Sequence, residues 1–330
     1  MKKFVFFLLI VAIIVPNVMA GGGSQAAATT YTLRSSTNLA ASGTVGMGLT
    51  KFVELVNERA GGRIKATANF GNELGGQAEQ VQMTRGGSLE MVVSAPGTGL
   101  GTYVPQFGAL ALPFIFQDND HFLRVLKSME GEISRLVQPF GFVARGGQSM
   151  GSRHMLSVTP IKKLSDMKGL KMRGPDAVYA AMFTALGATG TTTDWNEIYT
   201  GFQSRMIDGM EASPSMINSM KFQDVAKNMT ITNHIIACIY YFFNEKWLNS
   251  LPADLKELVL KCADDAAAYQ AVIDVEDQEK AQKSMIAGGL NVIELKDLDA
   301  WKAACGPMIN EFKAKGPEWA DFIGKMQAIK

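Results

Sequence analysis

The chain has 330 residues, and its 32 basic and 31 acidic side chains leave a formal net charge of +1. A chain so close to neutral lacks the attraction to phosphate groups on which nucleic-acid binding depends, so nucleic acid is excluded as a partner. Because the chain is longer than a single hydrophobic core usually grows, two lobes are expected.

The N-terminal segment has the pattern of a secretory signal. Met1-Lys2-Lys3 precedes an apolar run, Phe4 to Val15, that is too short to span a bilayer, and the run closes on Val18-Met19-Ala20 before a glycine-rich stretch. We predict that residues 1–20 are a cleaved signal peptide and that residues 21–30, rich in Gly, Ala, Ser and Thr, are a flexible leader. The mature protein is therefore expected to be periplasmic.

The first half of the mature chain alternates predicted strands and helices. Apolar residues recur at helical spacing in some segments and alternate in others, with glycine pairs between them. The predicted order is strand 31–36, helix 45–56, strand 64–70, helix 77–84, strand 89–94, a partly buried crossover at 105–116, a helix from residue 119 or 120, and strands 142–145 and 154–158. This order is typical of an α/β fold with a mostly parallel sheet.

The second half repeats the alternation. The predicted order is strand 170–172, helix 178–186, a helix from the capping box Asp194 to Glu197 as far as about residue 205, a short strand after Asp208-Gly209, a helix at Ser213-Pro214, and one or two strands in 229–243. Residues 252–287 contain no internal Pro or Gly and predict a helix long enough to cross between lobes. We expect lobe 1 mainly in residues 31–150, with a later segment that could return to it. Lobe 2 is expected in residues 151–251, and the spanning helix and C-terminal helices in residues 252–330.

Arg173 is the first candidate for binding. In Gly169-Leu-Lys-Met-Arg-Gly-Pro175 it ends a short apolar run and is followed by Gly-Pro, which places a guanidinium where a strand meets a loop. A planar guanidinium in such a position can receive a carboxylate through two parallel hydrogen bonds. The seven residues alone favour the plainer interpretation, an ordinary surface ion pair with an Asp or Glu.

Two short strings resemble enzyme motifs but lack the structural context that these motifs need. Gly147-Gln-Ser149-Met-Gly151 fits a nucleophile elbow, which requires a following helix, whereas Arg153 to Val158 has strand character. Gly97-Thr-Gly-Leu-Gly101 resembles a phosphate loop, yet Tyr103-Val-Pro105 follows where a helix should begin. An extracytoplasmic hydrolase using Ser149 is thus an alternative that the pattern disfavours, and we expect no enzyme.

Histidines and cysteines give no sign of a metal or cofactor site. The histidines lack metal-ligand spacing and are interpreted as structural: His121, His154 and His234. The cysteines, Cys238, Cys262 and Cys305, are odd in number and widely spaced. They are interpreted as small buried apolar residues, with one disulfide as the alternative in an oxidising compartment.

A series of short motifs, in order, resembles the DctP-type substrate-binding proteins of TRAP transporters. They are Gly61-Gly-Arg-Ile64, Glu73-Leu-Gly-Gly76, Gly87-Ser-Leu-Glu90, Leu112-Pro-Phe-Ile-Phe116, Gly151-Ser-Arg153, Leu164-Ser-Asp-Met-Lys-Gly-Leu-Lys-Met-Arg173, Glu197-Ile-Tyr199 and Ile207-Asp-Gly-Met-Glu211. The resemblance covers nearly all of the mature chain. It implies two α/β lobes hinged around a cleft, a long helix spanning both, and delivery of an organic acid to a membrane permease driven by an ion gradient.

The resemblance also implies a set of ligand-binding residues. Arg173 matches the arginine that grips the ligand carboxylate, Arg153 matches a second pocket arginine, and Trp195 falls where members place a bulky residue against the ligand. Many members follow the Asp-Gly-x-Glu run with an asparagine that also binds the carboxylate. Here Ala212-Ser213 follows, so Ser213 either supplies a hydroxyl or simply caps a helix. In the other lobe the positions that contact the variable part of the ligand are Thr37, Asn38 and Gln77.

The polar groups that the predicted binding site lacks suggest a class of ligand. Ala212 removes an amide, and residues 95–101 contain no acid to accept sugar hydroxyls, while Trp195 and either Tyr240 or Tyr241 would offer aromatic surface. A buried ligand hydroxyl without a partner is costly. We therefore expect a monocarboxylate with an apolar or aromatic remainder, such as a 2-oxo acid. The alternatives are a short dicarboxylate, a sugar acid, or a ligand-binding accessory of a membrane sensor.

Overall fold

The computed structural model describes residues 29–330, so the predicted signal peptide and nearly all of the predicted leader lie outside the described residues. The strands are β1 (Tyr31–Ser36), β2 (Ile64–Asn69), β3 (Met91–Ser94), β4 (Phe142–Ser157), β5 (Lys171–Gly174), β6 (Thr189–Thr192), β7 (Gly209–Ala212), β8 (Asn228–Asn244) and β9 (Asn291–Glu294). The helices are α1 (Thr44–Arg59), α2 (Gln77–Gly86), α3 (Pro96–Leu100), α4 (Asn119–Val137), α5 (Ala177–Ala185), α6 (Ile198–Gln203), α7 (Pro214–Ser219), α8 (Glu245–Ser250), α9 (Ala253–Ala287), α10 (Leu298–Lys313) and α11 (Pro317–Ala328).

The nine described strands hydrogen-bond in the order β2-β1-β3-β8-β4-β7-β5-β6, with β9 beside β8. Pairing is parallel between β1 and β2, β1 and β3, β5 and β6, β5 and β7, and β8 and β9, and antiparallel where β8 meets β3 and where β4 meets β7 and β8. This confirms the predicted α/β architecture with mixed, mostly parallel pairing. We call β1 to β3 with α1 and α2 the first lobe, and β5 to β7 with α5 to α7 the second lobe.

The long strands β4 and β8 run antiparallel through both lobes. The sequence pattern predicts two separate strands at 142–145 and 154–158, and this prediction is wrong, because pairing with β8 continues across the glycine-rich segment between them. Gly146 and Gly151 have φ values of 63° and 80°, which glycine adopts without strain. The register with β8 shifts on both sides of Gln148 and Ser149. The strand is therefore irregular, but unbroken, where the chain passes between the lobes.

Helix α9 has 35 residues and begins directly after Pro252, as its pattern predicts. Val259, Cys262 and Ala266 in its first half pack in the core formed by α1 and β1 to β3. Met285 near its end packs in a different core, which contains Trp195 and α6. The helix thus spans both lobes. The short strand β9 that follows it was not predicted.

The cysteines are all buried and unpaired with one another: Cys238, Cys262 and Cys305. The interpretation of them as small buried apolar residues is confirmed. Within residues 29–330, none of the helices has both the length and the apolar character needed to cross a bilayer.

Candidate ligand-binding site

A cavity of about 360 Å³ lies between the two lobes. Its walls come from the ends of β1 and β3, from α2 and α3, and from β4, β5, β8 and the segment between β6 and α6. The polar residues that line it are Asn38, Gln77, Thr98, Arg153, Arg173, Asp176, Thr192, Thr193 and Asp194. The lobes touch across this cleft, because Asn196 Nδ2 donates to Asn72 Oδ1 at 2.6 Å. The structure is therefore that of a closed cleft.

Arg173 is a buried cation that forms no pair with a carboxylate of residues 29–330. It is only 3% exposed, and its Nε and Nη2 both donate to the carbonyl of Thr193, at 2.8 and 2.5 Å. Nη1 is buried and has no hydrogen-bond partner. The guanidinium lies 5.9 Å from the centre of the Trp195 ring, over its face. Strand β5 delivers Arg173 to this place because the residue stands at the carboxyl end of the strand, paired with Thr191 of β6.

Burial lowers the pKa of Arg173 to about 10; nearby Glu211 opposes this effect and Arg153 adds to it. The side chain is still cationic at neutral pH, but its charge is poorly solvated. An uncompensated charge of this kind costs free energy, which an anionic ligand placed against Nη1 would offset. A buried group whose pKa is strongly perturbed, and which lines a cleft, is a strong candidate for function.

Arg153 lies in the same wall but is already neutralised. Its Nη2 donates to Glu211 Oε1 at 2.7 Å and to the Glu211 carbonyl at 2.9 Å, and its Nε donates to Glu211 Oε2. Both side chains are almost fully buried, at 4% and 0% exposure. Although burial opposes the charge of Arg153, the Glu211 carboxylate raises its pKa above the usual value. Both arginines line the cavity, but Glu211 balances the charge of Arg153, and Arg173 is left as the cation without such a partner.

Two acidic residues outside the predicted binding set also line the cavity. Asp176 Oδ1 caps α5 by accepting from the amides of Val178 and Tyr179, at 2.8 and 3.3 Å. Burial raises the pKa of Asp176, although these amides and the two arginines lower it. Asp194 stands at the exposed edge, where Oδ1 accepts from the Asn196 amide at 3.2 Å. Both positions offered a sequence signal, since each directly precedes a predicted helix and suits an N-cap.

The first lobe contributes mainly neutral groups. Residues 95–101, predicted as a loop without acids, form the five-residue helix α3, and Ala95, Pro96, Gly97 and Thr98 face the cavity. Gln77 Nε2 donates to Ser94 Oγ at 2.8 Å behind this wall. A Cβ on Gly99 would lie 2.1 Å from Ser94 Oγ, so glycine is needed there for the close packing. This segment contains no acid, and the two acids that line the cavity, Asp176 and Asp194, come from the opposite lobe.

Five of the eight predicted binding residues line the cavity: Asn38, Gln77, Arg153, Arg173 and Trp195. The other three are not part of its lining. Thr37 is fully buried, and its Oγ1 accepts from Leu39 N. Ala212 pairs with His154 between β7 and β4. Ser213 is the N-cap residue of α7, without a side-chain capping bond, and its Oγ lies 3.5 Å from Gln278 Nε2.

The expected aromatic contribution is also corrected. Trp195 lines the cavity and packs edge-on against Phe222, with ring centres 5.1 Å apart. Tyr240 and Tyr241 instead lie fully buried in two different cores, and the preceding residues of β8, Ala237 to Ile239, reach the cavity. Strand alternation sends the two tyrosines to opposite faces of the sheet.

The two enzyme-like strings do not have the local structure that catalysis would require. Ser149 lies inside β4, where a nucleophile elbow needs a sharp turn between strand and helix. Its hydroxyl contacts Asn119 Oδ1 at 3.4 Å and Gly151 N at 3.0 Å. The string that resembles a phosphate loop lies largely within the five-residue helix α3 (Pro96–Leu100). In the described part of the chain, no cluster of three or more His, Cys, Asp or Glu residues is arranged to hold a metal ion.

Comparison of the sequence with known proteins identifies its family. The profile of the DctP family, the bacterial extracellular solute-binding proteins of family 7, matches residues 35–315. The chain belongs to this family. A solute-binding protein of Sulfitobacter sp. strain NAS-14.1 is 32% identical over 275 residues, which cover 81% of this chain and 82% of the relative.

Solved structures of TRAP periplasmic solute-binding proteins share the fold. One from Sulfitobacter sp. NAS-14.1, with bound β-D-galacturonate, has a TM-score of 0.86 at 25% identity and covers 90% of this chain and 99% of its own. Another from Sulfurospirillum deleyianum, with bound succinate, has a TM-score of 0.85 at 27% identity and covers 92% and 100%. The DctP-type protein described here is thus a TRAP solute-binding protein for organic acids, a periplasmic class of transport component.

Proposed function

We propose that this DctP-type protein captures a hydroxylated monocarboxylate of the size of a uronic acid and delivers it to a TRAP membrane permease. The observation that carries the proposal is the charge arrangement of the cavity. Among residues 29–330, Arg173 is the cation of the cavity that no carboxylate binds directly, and it faces a space that is also lined by Asp176 and Asp194. The predicted signal peptide is the proposed route to the periplasm.

The charge balance favours one ligand carboxylate. Arg153 is held by Glu211 through three hydrogen bonds, so Arg173 is left to bind an anion. Its Nη1 is the free donor, and the contact with Trp195 keeps the guanidinium plane in position. A second carboxylate on the ligand would come close to Asp176 or Asp194, where like charges repel. This argues against a short dicarboxylate.

The remaining polar groups favour hydroxyls over an apolar remainder. Asp176 has one carboxylate oxygen beyond the one that caps α5, and Asp194, Thr98 and Thr192 supply further partners for hydroxyl groups. Leaving such groups unpaired against an apolar ligand would cost about 1–3 kcal/mol for each buried one. The bound β-D-galacturonate of the Sulfitobacter protein supports the same class. The proposal replaces the expected monocarboxylate with an apolar or aromatic remainder.

A direct binding experiment tests the proposal. Native mass spectrometry of the purified protein identifies any retained ligand, and calorimetry on stripped protein compares D-galacturonate, D-glucuronate, succinate and phenylpyruvate. We expect a uronate to bind at least tenfold tighter than the other two acids. Tightest binding of succinate would favour the dicarboxylate alternative, to which the succinate-bound Sulfurospirillum structure points. If phenylpyruvate binds tightest, Asp176 and Asp194 do not serve to bind ligand hydroxyl groups, and the proposal is overturned.

The variant Asp176→Asn tests whether this residue distinguishes a uronate from succinate. Asparagine is as good an N-cap as aspartate, so α5 keeps its cap while the cavity loses one negative charge. Uronate binding should weaken because an amide nitrogen replaces a hydroxyl acceptor, whereas succinate binding should strengthen because a like charge is gone. Equal effects on both acids would show that Asp176 does not distinguish hydroxyls from carboxylates.

A further inference from the structure

One face of α9 carries three polar side chains spaced four residues apart: Gln270, Asp274 and Gln278. This spacing places them in a row on the helix. Gln270 is fully buried and Asp274 is 4% exposed. Asp274 Oδ1 accepts from Thr44 Oγ1 at 2.9 Å and from Gln278 Nε2 at 3.0 Å. We call these three residues the α9 polar row.

The α9 polar row contacts both lobes and the strand between them. Thr44 is the first residue of α1 in the first lobe. Ser215, in α7 of the second lobe, donates its amide to Gln278 Oε1 at 3.0 Å. Gln270 Nε2 donates to the Ser149 carbonyl at 2.9 Å, within the irregular segment of β4. A rotation of one lobe relative to the other cannot preserve all these contacts at once.

Thr44 and Ser215 also line a second cavity, of about 20 Å³, which shares Trp195 with the ligand cavity. The α9 polar row bonds to both residues and so lies directly behind this junction of the two lobes, and separation of the lobes would bring water to Thr44 and its partner Asp274. A space of this size is large enough for a water molecule. Asp274 would then be hydrated in the open protein and dry in the closed one.

In the closed structure Asp274 has no compensating cation within 4 Å among residues 29–330. Burial raises its pKa to about 6, and the bonds from Thr44 and Gln278 oppose that shift while Asp277 adds to it. The group that bonds to Asp274 from α1 is the neutral Thr44 hydroxyl. Its neighbours on the helix, Gln270 and Gln278, bond to neutral groups of α7 and β4: the Ser215 amide and the Ser149 and Met150 carbonyls. The closed protein therefore holds a proton on Asp274 more readily than a hydrated carboxyl would.

We propose that closure of the lobes is coupled to proton uptake by Asp274, so that mild acidification favours the closed, ligand-retaining state. This rests on the proposed function, in which an acid is captured in the cleft between the lobes. At pH values between the pKa of Asp274 in the open form and its pKa in the closed form, the closed form binds more protons than the open form. The equilibrium therefore shifts toward the closed form as pH falls through this range. With an ordinary pKa of 3.8 in the open form and about 6 in the closed form, the closed-to-open ratio should rise about tenfold from pH 7.5 to pH 5.

Small-angle scattering of the ligand-free protein tests the coupling without depending on the ligand. We expect a smaller radius of gyration at pH 5 than at pH 7.5. Asp274→Asn should remove the difference, because asparagine keeps Oδ1 for Thr44 and Gln278 but cannot ionise. Glu276→Gln, which removes an exposed charge two residues away, should behave like the original protein.

Calorimetry provides the second arm. Measured at pH 6 in buffers with different ionisation enthalpies, binding of the preferred acid should take up a fraction of a proton in the original protein and in Glu276→Gln, but not in Asp274→Asn. A radius of gyration that is independent of pH overturns the inference, and so does an identical pH response in Asp274→Asn. If scattering shows the expected pH response but no acid binds, the proposed function fails and the coupling stands.

Discussion

The guanidinium of Arg173 is held by the carbonyl of Thr193, which accepts from both Nε and Nη2 at 2.8 and 2.5 Å. Nε and Nη2 are donors that an arginine often uses together to bind a carboxylate. Here both are used to hold the side chain in place. Nη1 remains as the buried, unpaired donor. A ligand carboxylate consequently meets an arginine that is already oriented, so little side-chain entropy is lost on binding.

Replacement of Arg173 should abolish most of the affinity for the acid. A charge-assisted hydrogen bond contributes about 1.5–3 kcal/mol, so Arg173→Met should weaken binding by at least tenfold in calorimetry. Arg173→Lys should restore little of the affinity, because a lysine ammonium cannot bond to the Thr193 carbonyl and also present a second donor in the same plane. Arg205→Met, at an exposed arginine of the same lobe, serves as the control. Unchanged affinity in Arg173→Met would contradict the assignment.

The buried pair of Arg153 and Glu211 should behave as a unit in stability measurements. Removing one partner leaves a buried charge without compensation, which costs about 3–5 kcal/mol. We expect Glu211→Leu to lower the free energy of urea unfolding by about this amount, and Arg153→Met/Glu211→Leu to recover much of it. Glu279→Gln, at an exposed pair with Lys283, should change stability little. A double variant less stable than either single variant would contradict the coupling.

The cross-cleft bond between Asn196 and Asn72 should slow release of the ligand. A hydrogen bond of this kind contributes about 0.5–1.5 kcal/mol, so Asn196→Ala should raise the dissociation rate between about twofold and tenfold in stopped-flow measurements. Asn72→Ala should act alike, and the double variant should be no faster than the single ones, because both remove the same contact. Additive increases would mean that the two side chains act separately.

Glu132 provides a pH-dependent link between α4 and α11. It pairs with Arg135 at 2.7 Å and with Lys325 at 3.0 Å, and the Arg135 bond lowers its pKa to about 2. Because the folded-state pKa is depressed, this stabilisation is present above the ordinary pKa of 4.5 and is lost as pH falls toward 2. Its partners are exposed, so Glu132→Gln should cost no more than about 1 kcal/mol at pH 7. Thermal unfolding should show this difference shrinking between pH 5 and pH 2.

Much of this protein was determined by local sequence. Strand composition predicted β1, apolar periodicity predicted α1 and β2, and the absence of Pro and Gly predicted α9 over nearly its whole length. The placement of Arg173 at the end of β5 also followed from seven residues. These features depend on side-chain spacing and backbone preferences, which neighbouring residues set among themselves.

Other features were decided only by tertiary structure, because they depend on groups far apart in the chain. Glu211 neutralises Arg153 from 58 residues away, and that pairing alone reduces two apparent anion sites to one. Asp274 and Thr44 are 230 residues apart. The glycine-rich centre of β4 remains a strand because β8 pairs with it over both lobes. Local sequence specifies which groups are available, but burial and long-range pairing decide which charges stay uncompensated, and those charges determine what the cleft can bind.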